Sequence, residues 1–289
     1  MILDKKNIKL FWHYIYERHS IYKKKELAKL DYPWTDDLIL SKYKFTNVFR
    51  DLDVGTKYVI NKIIPKSKKA RDIIFNIIIY RLYNKIETFD FVKFSKVDSF
   101  DIKFFESKLR ELKSKGVAIF TNAFLVSGYS SIKGKDKIEK TCNIIDLIHN
   151  DIKSVTALIL ENKNSKYTFK KLKSLNGIGN FLAYQIAVDI GYWNNELFNE
   201  SKFVVAGPGC KKGIDLLFKD KGDLDYEKCI QYLCDTQIYG FKNMNININE
   251  LFNDRKDKFL NLMAMENCLC EISKYLKAHY KWGRPRNKY

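Results

Sequence analysis

Along most of this chain the hydrophobic residues recur at helical rather than strand spacing. Phe45, Val48, Phe49 and Leu52 follow the i, i+3, i+4, i+7 rule, which predicts a helix across that stretch. Phe259, Leu262, Leu269, Ile272 and Leu276 continue one helical face near the C-terminus. The run IIFNIIIY at 73–80 is interrupted by Asn76 and is too short to cross a bilayer, so it reads as part of an apolar helix punctuated by Asn76, Arg81 and Asn84. Such polar groups in an apolar helix need partners and predict an internal network. VAIFTNAFLV at 117–126 has the continuity of a strand but is expected as a buried helix among helical neighbours. Three of the prolines, Pro33, Pro65 and Pro208, fall where helices should begin or stop. The pattern predicts about ten helices and little sheet, an all-α fold. With no long linker and no internal repeat, it reads as one two-lobed helical domain over residues 1–289, with NMNININE at 243–250 as a surface loop.

One break in the pattern carries chemistry. In SLNGIGNFLAYQIAVDIGY at 174–192, Gly177 and Gly179 stand one residue apart just before a helical run. The glycines permit positive φ and close backbone approach, and the helix that opens near Asn180 has amide donors without intrahelical partners. Its dipole favours an anion there, and a phosphate fits. Lys166, Lys170, Lys171 and Lys173 precede the turn. A plain helical hairpin with glycines for packing is the alternative. The whole element, at about 166–192, has the pattern of a helix-hairpin-helix, in which Lys173, Gly177, Gly179 and Asn180 would meet DNA. On the following helix Gln185 and Asp189 are four apart on one face, and Tyr192 continues it.

Composition sharpens this. The formal net charge is +18 over 289 residues, which favours a polyanionic partner, although lysine enrichment also follows from base composition of a genome. Six cysteines show no CxxC pair and the four histidines lie apart from most of them, so neither a metal site nor a cofactor is expected. The cysteines read as reduced thiols of a cytoplasmic protein.

Three further clusters have chemical potential. FWHYIYERHSIY at 11–22 puts Arg18 and His19 on an aromatic helix, and Trp34 with Asp36 and Asp37 follows at a proline-initiated helix start. KFTNVFRDLD at 44–53 is read as placing Asn47, Arg50 and Asp51 within one helical turn, where they serve either a base edge or an internal network. In VVAGPGCKKGIDLL at 204–217, Gly207, Pro208 and Gly209 form a turn ahead of Lys211 and Lys212. It is a plain turn or a second backbone contact for DNA, and it lacks the GxxxxGK[ST] phosphate-loop pattern.

Together with IYRLYN at 79–84 and ENCLCEISKY at 266–275, these blocks resemble, in order and over nearly the whole chain, the alpha-glutamyl/putrescinyl thymine pyrophosphorylase family. The helical domain of 5-hydroxymethyluracil DNA kinases is a close relative of that family. The resemblance implies a helix-hairpin-helix, DNA-glycosylase-like fold and a substrate of double-stranded DNA with modified bases; with its longest apolar run too short for a bilayer, the chain is expected to have no membrane partner, and no obligate protein partner is expected. It also implies two activities: hypermodifying transfer onto activated 5-hydroxymethyluracil, and, in related anti-phage proteins, excision of bulky modified pyrimidines. The expectation drawn is a monofunctional DNA N-glycosylase in anti-phage defence, with the transferase as alternative and a non-catalytic DNA-binding module as a third reading. SKFVVAGPG, after the hairpin, lacks the aspartate that glycosylases of this type carry there. Asp189 and Asp37 are therefore the catalytic candidates. The substrate pocket is assigned to Arg18, His19, Trp34, Asn47, Arg50, Gln185 and Tyr192. DNA contacts are assigned to Lys173, Gly177, Gly179, Asn180, Gly207, Gly209, Lys211 and Lys212.

Overall fold

The computed structural model describes residues 1–121, 132–285 and 287–289. Following the chain, these contain α1 (Lys5–Tyr22), α2 (Leu38–Lys42), α3 (Val54–Tyr58), α4 (Ala70–Tyr83), α5 (Ile86–Val92), α6 (Ile102–Ser114) and α7 (Lys137–Asn162). After them come α8 (Ser165–Lys173), α9 (Asn180–Trp193), α10 (Pro208–Leu217), α11 (Tyr226–Lys242), α12 (Ile248–Leu251) and α13 (Leu262–His279). The sheet among the described residues is one antiparallel ribbon of Ile2–Leu3 with Phe218–Asp220. The fold is thus predominantly helical, as the hydrophobic spacing predicts. No helix of the described residues is long and apolar enough to cross a membrane.

Helix starts are written locally. Asp4, Asp37, Asp101, Asp136, Asn164, Asp225, Asn247 and Asn261 each stand just before a helix and accept a hydrogen bond from a first-turn amide. Pro208 opens α10, where a missing amide hydrogen costs nothing.

The chain divides into two compact units. The terminal unit joins Met1–Asp53 to Val204–Tyr289, and the central unit is Val54–Phe203. In the terminal unit, α13 packs against α10 so closely that a Cβ on Gly213 would sit 1.9 Å from the Leu269 carbonyl oxygen. In the central unit, α4 is buried all round, which makes it the core helix. Its polar residues find partners: Asn76 Nδ2 donates to the Asp72 and Ser95 carbonyls, both at 2.7 Å.

Four sequence expectations need correction. The 45–52 stretch is not a helix: only Arg50–Leu52 forms a single 3₁₀ turn. Its four apolar residues are buried as the spacing suggests, but the carbonyls of Phe45 and Thr46 accept from the Arg18 guanidinium instead of from a following turn. Phe259 lies outside α13, which starts at Leu262 under the Asn261 cap. NMNININE is not all loop, since Asn247 caps the short α12. Residues 117–121 of the expected buried helix are neither helix nor strand, and 122–126 lie outside the described residues.

Candidate functional site

The glycine hairpin of the central unit runs from α8 into α9 with Gly177 at φ +79. A Cβ there would meet the Ile144 side chain at 2.7 Å, so both the conformation and the packing call for glycine. Gly179 is the N-cap of α9 and has no side chain to satisfy the first amides. Lys173, Gly179 and Asn180 are exposed. The hairpin therefore leaves the start of α9 and the end of α8, with Lys173, facing solvent.

Further along α9, Asp189 is fully buried and paired with Arg81 of α4. Arg81 Nε meets one carboxylate oxygen and Nη2 donates to the other at 2.9 Å, while Nη1 donates to Asn84 Oδ1 at 2.7 Å. This is the internal network that Arg81 and Asn84 predicted, and it occupies both oxygens of a proposed catalytic group. Gln185 is buried in the same helix, and the Tyr192 hydroxyl donates to Glu200 at 3.0 Å.

The terminal unit collects a second group. The Arg18 Nη2 donates to Asn47 Oδ1 at 2.8 Å, and the Asn47 backbone and side-chain amides both donate to Asp53 Oδ1, at 2.9 and 3.1 Å. Burial pushes the Asp53 carboxyl up to about 6, against the pull of the Asn47 amide and of the Arg50 and Arg18 cations. Glu266, on α13, is buried and accepts from the Gly207 amide at 3.1 Å. Burial pushes it up to about 7, again opposed by the Gly207 bond and by Arg50. The charge of Arg50 thus acts on both raised carboxyls, holding each down against burial. Strongly perturbed acids around a cation mark candidate functional sites. Asn47 and Arg50 were read from the sequence; Asp53 and Glu266 were not.

The α10 start differs from its expected role. Gly207 and Ala206 donate their amides to Glu266 and Glu227, so protein carboxylates occupy this end. Gly209 lies inside α10, where a Cβ would meet Cys270 Sγ at 2.3 Å, which makes it a packing residue. Lys211 and Lys212 are exposed, with the Lys211 ammonium 5.1 Å from the Tyr226 ring.

Asp37 caps α2 through Ile39 and Leu40, and its other oxygen accepts from Tyr275 at 2.6 Å and faces His13 at 3.3 Å. Burial would raise its pKa, but the His13, Tyr275 and backbone bonds outweigh it and hold the carboxyl at about 2. It is an ionised anchor joining α1, α2 and α13. His13 and Tyr275 escaped the sequence reading, although His13 lies beside the chosen residues in FWHYIYERHSIY. His19 is wholly buried among Tyr22, Phe49 and Phe252 and bonded to Asp254 at 2.8 Å, so it belongs to the core. Trp34 is half-buried, edge-on to Tyr32 and Tyr289, with its indole donating to the Leu30 carbonyl at 2.8 Å.

Residues 5–284 match the family described as 5-hmdU DNA kinase, helical domain. The 5-hmdU DNA kinase of Bacillus phage SP10 is 28% identical over 298 residues, covering 94% of this chain and 46% of the relative. The chain therefore spans about half the length of that curated relative. No solved structure matches it. A named relative that is a DNA kinase, a transferase, overturns the expectation of a monofunctional N-glycosidic hydrolase and removes the ground for a defence role. That expectation leaned on the glycine hairpin, a feature of fold and surface that does not by itself specify which bond is broken. With nearly its whole length inside the match, the chain belongs to the 5-hmdU DNA kinase helical-domain family.

Proposed function

We propose that this chain binds DNA carrying 5-hydroxymethyluracil and takes part in group transfer at the 5-substituent of that base, in the cytoplasm where the DNA lies. The observation that carries the reading is the match of residues 5–284 to a helical domain named for a 5-hydroxymethyl-deoxyuridine DNA kinase. The hairpin supports it as a helix-hairpin-helix grip: Lys173, Gly179 and Asn180 offer a cation and open amides to a phosphate, leaving the sequence unread. The sequence has no GxxxxGK[ST] loop, so phosphorylation through such a loop is not assigned to these residues.

The reaction assigned to them is substitution at an activated 5-hydroxymethyl group. The methylene C–O bond breaks and the diphosphate leaves with the electron pair; an amine forms the new C–N bond and gives up a proton. Arg50 supplies positive charge for the phosphate oxygens. Asp53 and Glu266, titrating near 6 and 7, are suited to take the amine proton. Arg18 and Asn47 hold Asp53, and the Arg81–Asp189 pair fixes α9 behind the hairpin. Trp34 is assigned to the base pocket. A second reading, a DNA-handling part of a larger kinase, is favoured by the 46% coverage of the relative.

The test uses duplexes containing thymine, 5-hydroxymethyluracil or its diphosphate ester, incubated with the full chain and a polyamine, then digested to nucleosides for mass spectrometry. The expected product is an aminomethyl base from the diphosphate ester alone, lost in Glu266→Gln while duplex binding persists. Selective binding of hydroxymethylated duplex with no conversion would replace the transferase reading by the DNA-handling one. Binding blind to the modification, with no conversion, would reject both.

A further inference from the structure

A groove of about 510 Å³ opens in the central unit between the end of α5 and the start of α6. Phe91, Phe94 and Phe104 line it together with Lys93, Lys96 and Lys108. Phe104 is 62% exposed, although α6 packs through Phe105, Leu109 and Leu112 and has no structural use for it. The Lys108 ammonium lies 5.7 Å from the ring centroids of both Phe91 and Phe104 and 3.2 Å from Glu111.

The loop carrying Phe94 is hydrogen-bonded to polar residues of α4 and α7. Asn76 accepts from the Ser95 amide at 2.8 Å and donates to the Ser95 carbonyl at 2.7 Å. Asp72 accepts from the Val97 amide at 3.0 Å, and the His149 ring bonds the Val97 carbonyl at 2.8 Å. The nearby acids are already engaged. Asp101 caps α6, and Asp98 is ringed by Lys69, Arg71 and Lys153. A half-buried Phe94 on a hydrogen-bonded loop, beside the exposed Phe104 of α6 and among lysines, fits a ligand with flat rings and regular negative charge. Duplex DNA hides its base faces, whereas a single strand offers both.

We propose that this groove binds single-stranded DNA, with unpaired bases stacking on Phe94 and Phe104 and phosphates meeting Lys93, Lys96 and Lys108. The inference rests on the DNA-modifying reading for the source of the strand, the unpaired nucleotides beside a modified base. The experiment titrates the full chain with fluorescein-labelled twelve-residue oligo-dT and with a plain duplex, following anisotropy at several salt concentrations. Phe104→Ala and Phe94→Ala should each weaken oligo-dT binding on the order of 5- to 100-fold, with duplex binding unchanged. Phe104→Tyr, which keeps the ring, should bind like wild type. Lys96→Gln should flatten the salt slope for oligo-dT by about 0.7. Circular dichroism melts of each variant should match wild type.

Oligo-dT affinity unchanged in both alanine variants would overturn the proposal, as would equal losses for oligo-dT and duplex. Polyglutamate that competes as well as oligo-dT, and is weakened by the same substitutions, would reassign the groove to acidic protein segments. Absence of base conversion beside intact ring-dependent oligo-dT binding would count against the proposed reaction and leave the groove standing.

Discussion

Glu266 illustrates what a single side chain can do when burial sets its charge. Its carboxyl is raised from 4.5 to about 7 by burial. In the unfolded chain it ionises near 4.5, so between that value and 7 the folded state holds the extra proton. Its contribution to stability is therefore complete below 4.5 and is lost as pH climbs through 7. The difference amounts to about 3 kcal/mol across that window. Glu266→Gln should be more stable than wild type at pH 8 and should flatten the fall between pH 5 and 7, read by urea unfolding at each pH. Equal pH dependence in the two proteins would place the titration elsewhere. Asp189 is the opposite case, an ion whose partner is buried beside it. Asp189→Asn leaves Arg81 charged and uncompensated, at a cost of roughly 3–5 kcal/mol. A thermal melt unchanged from wild type would show that the pair does not hold α9 to α4. The sequence made one of these residues legible in part: Glu266 falls three and four places from Leu269 and Leu262, on the apolar face of α13. A carboxylate on a buried stripe is the signal that was available. Arg81 as the partner of Asp189 was not legible, because 108 residues separate them.

Among the elements, those whose ends carry their own chemistry were the most readable. The turn from α8 into α9 could be read from Gly177 and Gly179, because a positive φ and a side-chain-free cap leave a local mark. The stretch 45–52 was misread because burial of every third or fourth residue is the same in a helix and in an irregular segment wrapped over a core. What decided between them was Arg18, whose guanidinium takes the carbonyls of Phe45 and Thr46. Gly209 and Gly213 could be seen as glycines but not as the contact surface of α10 on α13. For the hairpin itself, Gly177 is a poor probe, since any side chain there strains the backbone and meets Ile144. Lys173→Gln is cleaner. It should leave the melting temperature unchanged and reduce the slope of log affinity against log salt for duplex DNA by about 0.9, one phosphate contact. A slope equal to that of wild type would remove Lys173 from the interface.

At the scale of the whole chain, the charge of +18 belongs to association and the two compact units belong to folding. The hydrophobic pattern could not mark the unit boundaries, because neither junction, near residue 53 or near residue 203, carries a linker composition. The units differ in how the chain supplies them. The central unit is one continuous segment, Val54–Phe203, built on α4, whose surrounding helices α7 and α9 lie within the same segment. The terminal unit needs both ends, since α1 and α13 come from opposite halves and Asp37 ties them through His13 and Tyr275. A fragment of residues 54–203 is therefore expected to fold alone and melt cooperatively, with protected amides in α4. Residues 204–289 alone should stay unfolded and recover structure when residues 1–53 are added. Hydrogen exchange and near-ultraviolet circular dichroism on the fragments would read this directly. A central fragment without fixed aromatic signals, or a folded 204–289 fragment, would mean that packing within each unit is not what stabilises it.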